Sequence, residues 1–192
     1  MFALVESGSI TQMPKGNKGI QIGDVKYPAA IYTLWSEAER NAIGIYTVEI
    51  DNTNKKNEEW YINTNQTYTF SGGKVKATYG TATAKAIADK TVDGVVVEGL
   101  KTIKKRMIDN QCAGILTPSD WMVIRATETG ATLNSGWKTW RASVRTKCNS
   151  MQTQIDNASD VDALATLFTY TNTGTEENPV LERPLGEFPV KE

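Results

Sequence analysis

Short runs of apolar, aromatic and β-branched residues, separated by polar and glycine-containing stretches, make up the first part of the chain. Such runs occur at residues 2–6, 10–13, 20–22, 45–50, 60–62, 67–70 and 74–79. Because these residue types suit a pleated, half-buried surface, and Ile20-Gln21-Ile22 alternates with the period of two of a strand, the runs predict short strands joined by polar turns. One helix interrupts them, because Ser36 and Glu39 have the spacing of a capping box and Gly44 can end the helix. We predict a mostly antiparallel β-rich module with one short helix over residues 1–83.

From residue 98 onward the apolar period lengthens to three or four, which is the period of an amphipathic helix. The strongest repeat lies between Trp137 and Ile155. A separate helix is predicted to begin at Thr117, which would act as its N-cap, with Pro118 in the first turn. We therefore predict a small helical bundle over residues 98–170. Its predicted structural core is formed by Trp121, Trp137, Trp140, Val144, Met151 and Ile155.

Two segments show neither the pattern of strands nor the period of an amphipathic helix. Residues 84–97 contain small residues and are predicted to be a linker. Residues 171–192 contain three prolines and are predicted to be an extended tail, which should be mobile and whose deletion should spare folding. Its apolar residues are candidate partner-binding positions: Val180, Leu181, Phe188 and Val190. The predicted fold class is α+β, with an N-terminal β-rich module, a C-terminal helical bundle and an extended C-terminal arm.

Charge and composition disfavour several classes of partner and of catalytic chemistry. The chain has 21 Lys and Arg, 22 Asp and Glu, and no histidine. A balanced charge offers no long-range attraction for nucleic acid or for an anionic membrane. Without histidine, the commonest general base and metal ligand is missing. The first residues lack the pattern of a signal peptide, and no apolar run is long enough to cross a bilayer. We expect no nucleic-acid partner and no membrane partner.

The two cysteines, Cys112 and Cys148, are too few and too far apart in sequence for a disulfide-rich scaffold or a clustered zinc site. Both fall on apolar helical stripes. Buried free thiols are the favoured interpretation, and a disulfide between them is the alternative.

No motif in the chain predicts catalysis or a cofactor. Gly72-Gly73-Lys74 lacks the rest of a phosphate-binding loop, and the serines have no histidine to activate them. Arg125 and Arg141 each follow a tryptophan by four residues, a spacing that allows a guanidinium to pack on an indole ring. Structural stacking is favoured over an anion-binding pocket. We therefore assign no catalytic, cofactor-binding or metal-binding residue, and we expect no enzymatic activity.

The helical part, residues 99–168, resembles a domain of unknown function that recurs at the carboxyl end of bacteriophage tail-fibre-associated proteins. The residues that carry this resemblance are Pro118, Asp120, Trp121, Arg125, Glu128, Thr129, Gly130, Trp140, Arg141, Arg145, Ile155 and Leu164 to Phe168. Residues 1–8 and 35–46 are similar to N-terminal modules of the same phage proteins.

The resemblance implies a non-enzymatic structural protein of a phage virion, associated with the tail as a baseplate, adaptor or fibre-attachment component. It implies other tail or fibre subunits as partners, a homo-oligomer or ring within the virion, synthesis in the host cytoplasm and a final location in the tail. The alternative is a tail-fibre assembly chaperone that is not retained in the mature virion. A third class, a small hydrolase, is disfavoured by the missing histidine.

Overall fold

The structure is a computed structural model, which describes residues 1–191. The chain is α+β, with strands in its N-terminal part and most of its helices in its C-terminal part. It divides into two compact units, Met1–Thr83 and Ala84–Glu192. We call them the sheet unit and the helical unit. No helix within the described residues is long and apolar enough to cross a membrane.

The sheet unit is built on a five-stranded sheet in the order β2-β1-β5-β8-β7. Its strands are β1 (Phe2–Glu6), β2 (Ser9–Gln12), β5 (Ile45–Asp51), β7 (Gln66–Ser71) and β8 (Lys74–Tyr79). The neighbouring pairs are antiparallel except β5 and β8, which run parallel with Val48 opposite Val75. Smaller strands are β3 (Ile20–Ile22), paired with β4 (Val25–Tyr27), and β6 (Tyr61–Ile62). β9 (Thr83–Ala84) lies at the boundary between the units.

The sheet buries apolar residues on both faces. Alternation along β1 sends Ala3 and Val5 into one apolar cluster with Val48 and Val75, and Leu4 into a second one. The second cluster contains Leu4, Ile20, Ile31, Tyr32 and Ile45. The first helix, α1 (Ile31–Leu34), contributes Ile31 and Tyr32 to it.

A second short helix, α2 (Glu37–Ala42), starts at the predicted capping box. The Ser36 hydroxyl accepts from the Glu39 amide, and the Glu39 carboxylate accepts from the Ser36 amide at 2.7 Å. The Ser36 hydroxyl also donates to the Glu39 carboxylate at 2.7 Å, and this bond, followed by the bond from the Ser36 amide, lowers the pKa of Glu39. Gly44 follows with a φ of 83°, and a Cβ there would lie 2.6 Å from the Val5 carbonyl oxygen. The prediction of a single helix in this part of the chain was wrong, because the sheet unit contains two, α1 and α2. With four residues, α1 is too short to give a recognisable helical period in the sequence.

The helical unit contains α3 (Leu100–Leu116), α4 (Asp120–Thr129), α5 (Ser135–Asn157) and α6 (Val161–Phe168). Asp160 caps α6 by accepting from the Ala163 amide. A short 3-10 turn, Thr117–Ser119, joins α3 to α4. The predicted N-cap role of Thr117 is wrong, because its hydroxyl donates backwards to the Ala113 carbonyl at 2.7 Å and its backbone is helical. The chain therefore turns from α3 into α4 through this 3-10 turn.

Part of the predicted helical seam is buried. In α5, Val144, Cys148, Met151 and Ile155 are buried, whereas Trp137 and Trp140 at its N-terminal end are half-buried. Trp121 is exposed by 54%, so its predicted place in the core is wrong. The reason is that α4 buries none of its residues.

A buried arginine joins α5 to the 3-10 turn. The Arg141 guanidinium donates to the Leu116 carbonyl at 2.9 Å, to the Ser119 hydroxyl and to the Asp120 carboxylate at 2.6 Å. Arg141 therefore binds the polar groups of the turn, instead of stacking on Trp137 as its spacing suggested.

The two cysteines meet between α3 and α5, where both are buried free thiols. Burial, followed by contacts with Cys112 and Asp109, raises the pKa of Cys148 to about 12. The Cys148 thiol therefore holds its proton more tightly in the folded state than in the unfolded state. Its contribution to the free energy of unfolding is complete below the ordinary thiol pKa of 9.0, and it is lost as the pH rises towards 12.

We expect two thiols per chain to titrate after unfolding without reductant, and native Cys148 to resist alkylation near pH 8. The free energy of unfolding should fall between about pH 9 and 12, and a Cys148→Ala variant should lose this part of the decrease. Thiol titration and urea denaturation across this pH range would check both. A stoichiometric Cys112–Cys148 disulfide in unreduced protein would contradict the expectation.

The segments predicted as linker and tail both contain hairpins. In residues 84–97, β10 (Lys90–Val92) pairs with β11 (Val95–Val97). In residues 171–191, β12 (Thr171–Asn172) pairs with β13 (Leu181–Glu182), and Leu185 further on is fully buried. The tail is therefore not one extended arm, because its chain turns back and Leu185 enters the core of the helical unit.

Candidate protein-interaction site

The four candidate partner-binding residues of the tail do not lie in one patch. Val180 and Leu181 are exposed next to or within β13, and Leu181 is exposed by 65%. Val190 is exposed by 85%, whereas Phe188 is half-buried and lines a pocket with Ile115 of α3. The structure therefore leaves three of these side chains available to a partner and packs Phe188 within the helical unit.

Polar contacts hold the end of the tail against the helical unit. The Tyr170 hydroxyl donates to the Glu187 carboxylate at 2.6 Å, which raises the pKa of Tyr170. Arg183 forms an ion pair with Glu187 at 2.8 Å and lies over the Tyr170 ring. The Trp140 indole donates to the Pro189 carbonyl at 3.0 Å. These contacts bring residues 183–189 onto α5 and the end of α6.

The helical unit has a tryptophan-lined pocket between α4 and the start of α5. Its volume is about 420 Å³. The lining residues are Trp121, Met122, Arg125, Ala126, Thr129, Ala131, Thr132, Leu133, Asn134 and Trp137. Trp121, the residue wrongly assigned to the core, is one wall of this pocket, which we call the tryptophan pocket.

Local structure fixes the shape of the tryptophan pocket. Gly130 ends α4 in the left-handed conformation, with a φ of 67°, and the Asn134 side chain caps α5 by accepting from the Gly136 amide at 2.9 Å. On the α5 side, the Trp137 ring packs edge-on against Trp140 with centroids 5.4 Å apart. The pocket thus has one wall on an exposed helix and one wall fixed by aromatic packing.

Arg125 is the charged residue in the lining of the tryptophan pocket, and the Lys191 ammonium lies 5.4 Å from the centroid of the Trp137 ring. Within residues 1–191 the Arg125 guanidinium shows no ion pair or side-chain hydrogen bond, and it is exposed. An arginine beside indole rings can bind a carboxylate while the rings contact apolar surface. The pocket can therefore hold a side chain or chain segment that combines apolar surface with a negative charge.

Trp121, Arg125 and Trp137 could be named from the sequence, but their meeting in one pocket could not be predicted. Their spacing and the end of α4 at Gly130 are local signals, whereas the placement of α4 beside the start of α5 depends on the fold. Residues 1–191 contain no group of three or more Cys, Asp or Glu side chains placed to hold a metal ion. A comparison of the chain with models of protein families, with curated proteins and with solved structures finds no match.

Proposed function

We propose that this chain is a non-enzymatic structural protein of a phage virion, associated with the tail through protein–protein contacts. The tryptophan pocket is the observation that carries the proposal, and the residues resembling phage tail-fibre-associated proteins supply the biological setting. Tryptophan and arginine are the residues that most often dominate binding energy at protein interfaces. Here both are exposed around one concavity.

In this proposal the tryptophan pocket receives an anchor from a neighbouring tail or fibre subunit. The indole rings of Trp121 and Trp137 contact the apolar part of the anchor, and Arg125 pairs with a carboxylate on it. In the proposal, the bound anchor excludes water from this concave site, which strengthens such a pair relative to a contact left exposed on a flat surface. The exposed tail residues Leu181 and Val190 are secondary contacts.

Quantitative mass spectrometry of purified phage particles tests the proposal. We expect the chain in mature particles at a fixed ratio to tail subunits. Presence in the lysate on fibres but absence from mature particles would favour the assembly chaperone. Absence from both would overturn a tail function.

We expect Trp121→Ala and Arg125→Ala to reduce incorporation into particles by about tenfold or more, the usual effect of losing a dominant interface residue. Trp121→Ala should change the free energy of unfolding by less than about 1 kcal/mol, because more than half of Trp121 is exposed. Incorporation would be measured by immunoblotting of purified particles, and stability by urea denaturation.

Ile124→Ala is the matched control for these two variants. Ile124 lies on the same helix and is as exposed as Trp121, but it does not line the tryptophan pocket. Its replacement should leave incorporation unchanged. Equal loss with all three variants would mean that α4 as a whole, rather than the pocket, makes the contact.

A further inference from the structure

The β12–β13 hairpin carries a loop, residues 173–180, which we call the acidic loop. Hydrogen bonds within the loop hold its shape. The Thr173 amide donates to the Val180 carbonyl at 2.8 Å, and the Thr175 amide donates to the Asn178 carbonyl at 3.2 Å. A loop that is already folded loses little conformational entropy when it binds, so the acidic loop is suited to act as a ligand.

The acidic loop combines negative charge with apolar surface. Every residue in it is exposed. Glu176 and Glu177 lie at its tip, and within residues 1–191 neither carboxylate shows an ion pair or a side-chain hydrogen bond. Pro179 and Val180 follow closely, and Val180 is exposed by 48%. This is the chemistry that the tryptophan pocket can hold.

The tryptophan pocket carries the opposite charge. Arg125 lines it, and the Lys191 ammonium lies beside the Trp137 ring. Two acidic residues of α4, Asp120 and Glu128, are not among the lining residues. The carboxylates of the acidic loop would therefore meet positive side chains at the pocket, and the chain's net charge of −1 adds no strong repulsion between copies.

The acidic loop does not fill the pocket of its own chain. Within the described part of the chain, none of residues 171–182 lines the pocket. The base of the hairpin is fixed elsewhere on the helical unit, since the Arg183 guanidinium lies over the Tyr170 ring and the Leu185 amide donates to the Leu167 carbonyl at 3.1 Å. The loop and the pocket are therefore two separate surfaces of one unit, and both are open to other copies.

We propose that the acidic loop of one copy of this chain binds in the tryptophan pocket of a second copy. Pro179 packs against the indole rings of Trp121 and Trp137, because proline side chains bind well in grooves lined by aromatic rings. The Glu177 carboxylate pairs with the Arg125 guanidinium. The inference rests on the proposed function, because it names a second copy as the neighbouring subunit that supplies the anchor.

This contact joins two different surfaces, so it is a heterologous interface. Each copy can bind one neighbour through its pocket and another through its loop. The contact repeats from copy to copy and gives a ring if the rotation closes, or a chain if it does not. The smallest ring is a dimer in which the two copies exchange loops. A loop in a pocket buries a small area, so we expect a dissociation constant of about 1 to 100 µM.

Sedimentation velocity of the purified full-length chain tests whether it associates with itself. We expect monomers at about 0.5 µM and an average mass that rises with concentration up to about 300 µM. Association should need no other phage component, and it should weaken in 1 M NaCl because salt screens the pairing of charges. A chain that stays monomeric over this range would overturn the proposal.

Two double variants test which surfaces meet. The pocket variant carries Trp121→Ala and Arg125→Ala, and the loop variant carries Glu176→Lys and Glu177→Lys. Each variant alone should associate at least about tenfold more weakly than the unaltered chain, because every contact lacks one half. An equimolar mixture should form dimers and nothing larger, because each mixed pair has one intact pocket and one intact loop. Association that survives in either variant, or a mixture that stays monomeric, would overturn the proposal.

The matched control carries Asp24→Lys and Glu58→Lys, which make the same change of charge at exposed residues of the sheet unit. It should associate like the unaltered chain, and an equal loss in the control would overturn the role of the acidic loop. The result is separate from the test of the tail function. A monomeric chain whose pocket variant fails to enter particles would overturn self-association alone, whereas a chain that associates but is absent from fibres and particles would overturn the tail function alone.

Discussion

Replacing Arg141 with alanine is expected to lower the free energy of unfolding of the helical unit by about 3 kcal/mol. Arg141 is buried, and its guanidinium donates to Leu116, Ser119 and Asp120 in the turn between α3 and α4. Removing it leaves the Ser119 hydroxyl, which is also buried, without its charged partner. It also removes the packing of the arginine stem.

We expect the loss of free energy of unfolding to be about 3 kcal/mol rather than about 5 kcal/mol, because the groups that Arg141 contacts keep other partners or reach water. Ser119 also donates to the Leu116 carbonyl at 2.8 Å, so that carbonyl keeps one partner after the substitution. The Asp120 side chain is half exposed and can turn to water. The loss is therefore smaller than for a fully buried ion pair, in which the surviving charge stays desolvated.

Arg145→Ala is the matched control for Arg141→Ala. Arg145 is exposed one turn further along α5, so its replacement should change stability by less than about 0.5 kcal/mol. Urea denaturation followed by far-UV circular dichroism reports the helices, most of which belong to this unit. Equal effects of the two substitutions would contradict a structural role for the Arg141 contacts.

Local sequence signals predicted the parts of the fold that depend on short-range interactions. The Ser36–Glu39 capping box and the stop at Gly44 need only residues within one turn of the helix, and the structure confirms both. The signal for the β10–β11 hairpin was equally local, since Asp93-Gly94 between valines is a strong hairpin turn. It was missed because the surrounding small residues favoured a linker.

The remaining features depend on contacts between residues far apart in the chain. Helical period alone cannot separate a core tryptophan from a surface one, and Trp121 belongs to a helix that buries no residue. The same limit applies to Arg141, whose partners lie more than 20 residues earlier in sequence. The tryptophan pocket requires both helices to be in place, so its residues could be named from the sequence but not brought together.

The burial of Leu185 in the tail could not be predicted from the sequence either, because the prolines and acidic residues around it favoured an extended segment. It is fully buried, its amide donates to the Leu167 carbonyl at 3.1 Å, and its carbonyl accepts from the Lys147 ammonium at 2.9 Å. A single leucine in a polar segment gives no periodic signal. The tail residues selected from the sequence were its other apolar residues, which are more exposed.

Leu185→Ala is expected to lower the free energy of unfolding by about 3 kcal/mol, within the usual range for removing a buried leucine side chain. Leu181→Ala in the same tail is the matched control and should cost less than about 0.5 kcal/mol, because Leu181 is largely exposed.

Deleting residues 171–192 removes Leu185 and the Trp140–Pro189 bond together, so it should destabilise the helical unit at least as much as Leu185→Ala. The sequence-based expectation was that this deletion spares folding. Denaturation of the three variants decides between the two, and a deletion as stable as the full chain would mean that the tail does not stabilise the helical core.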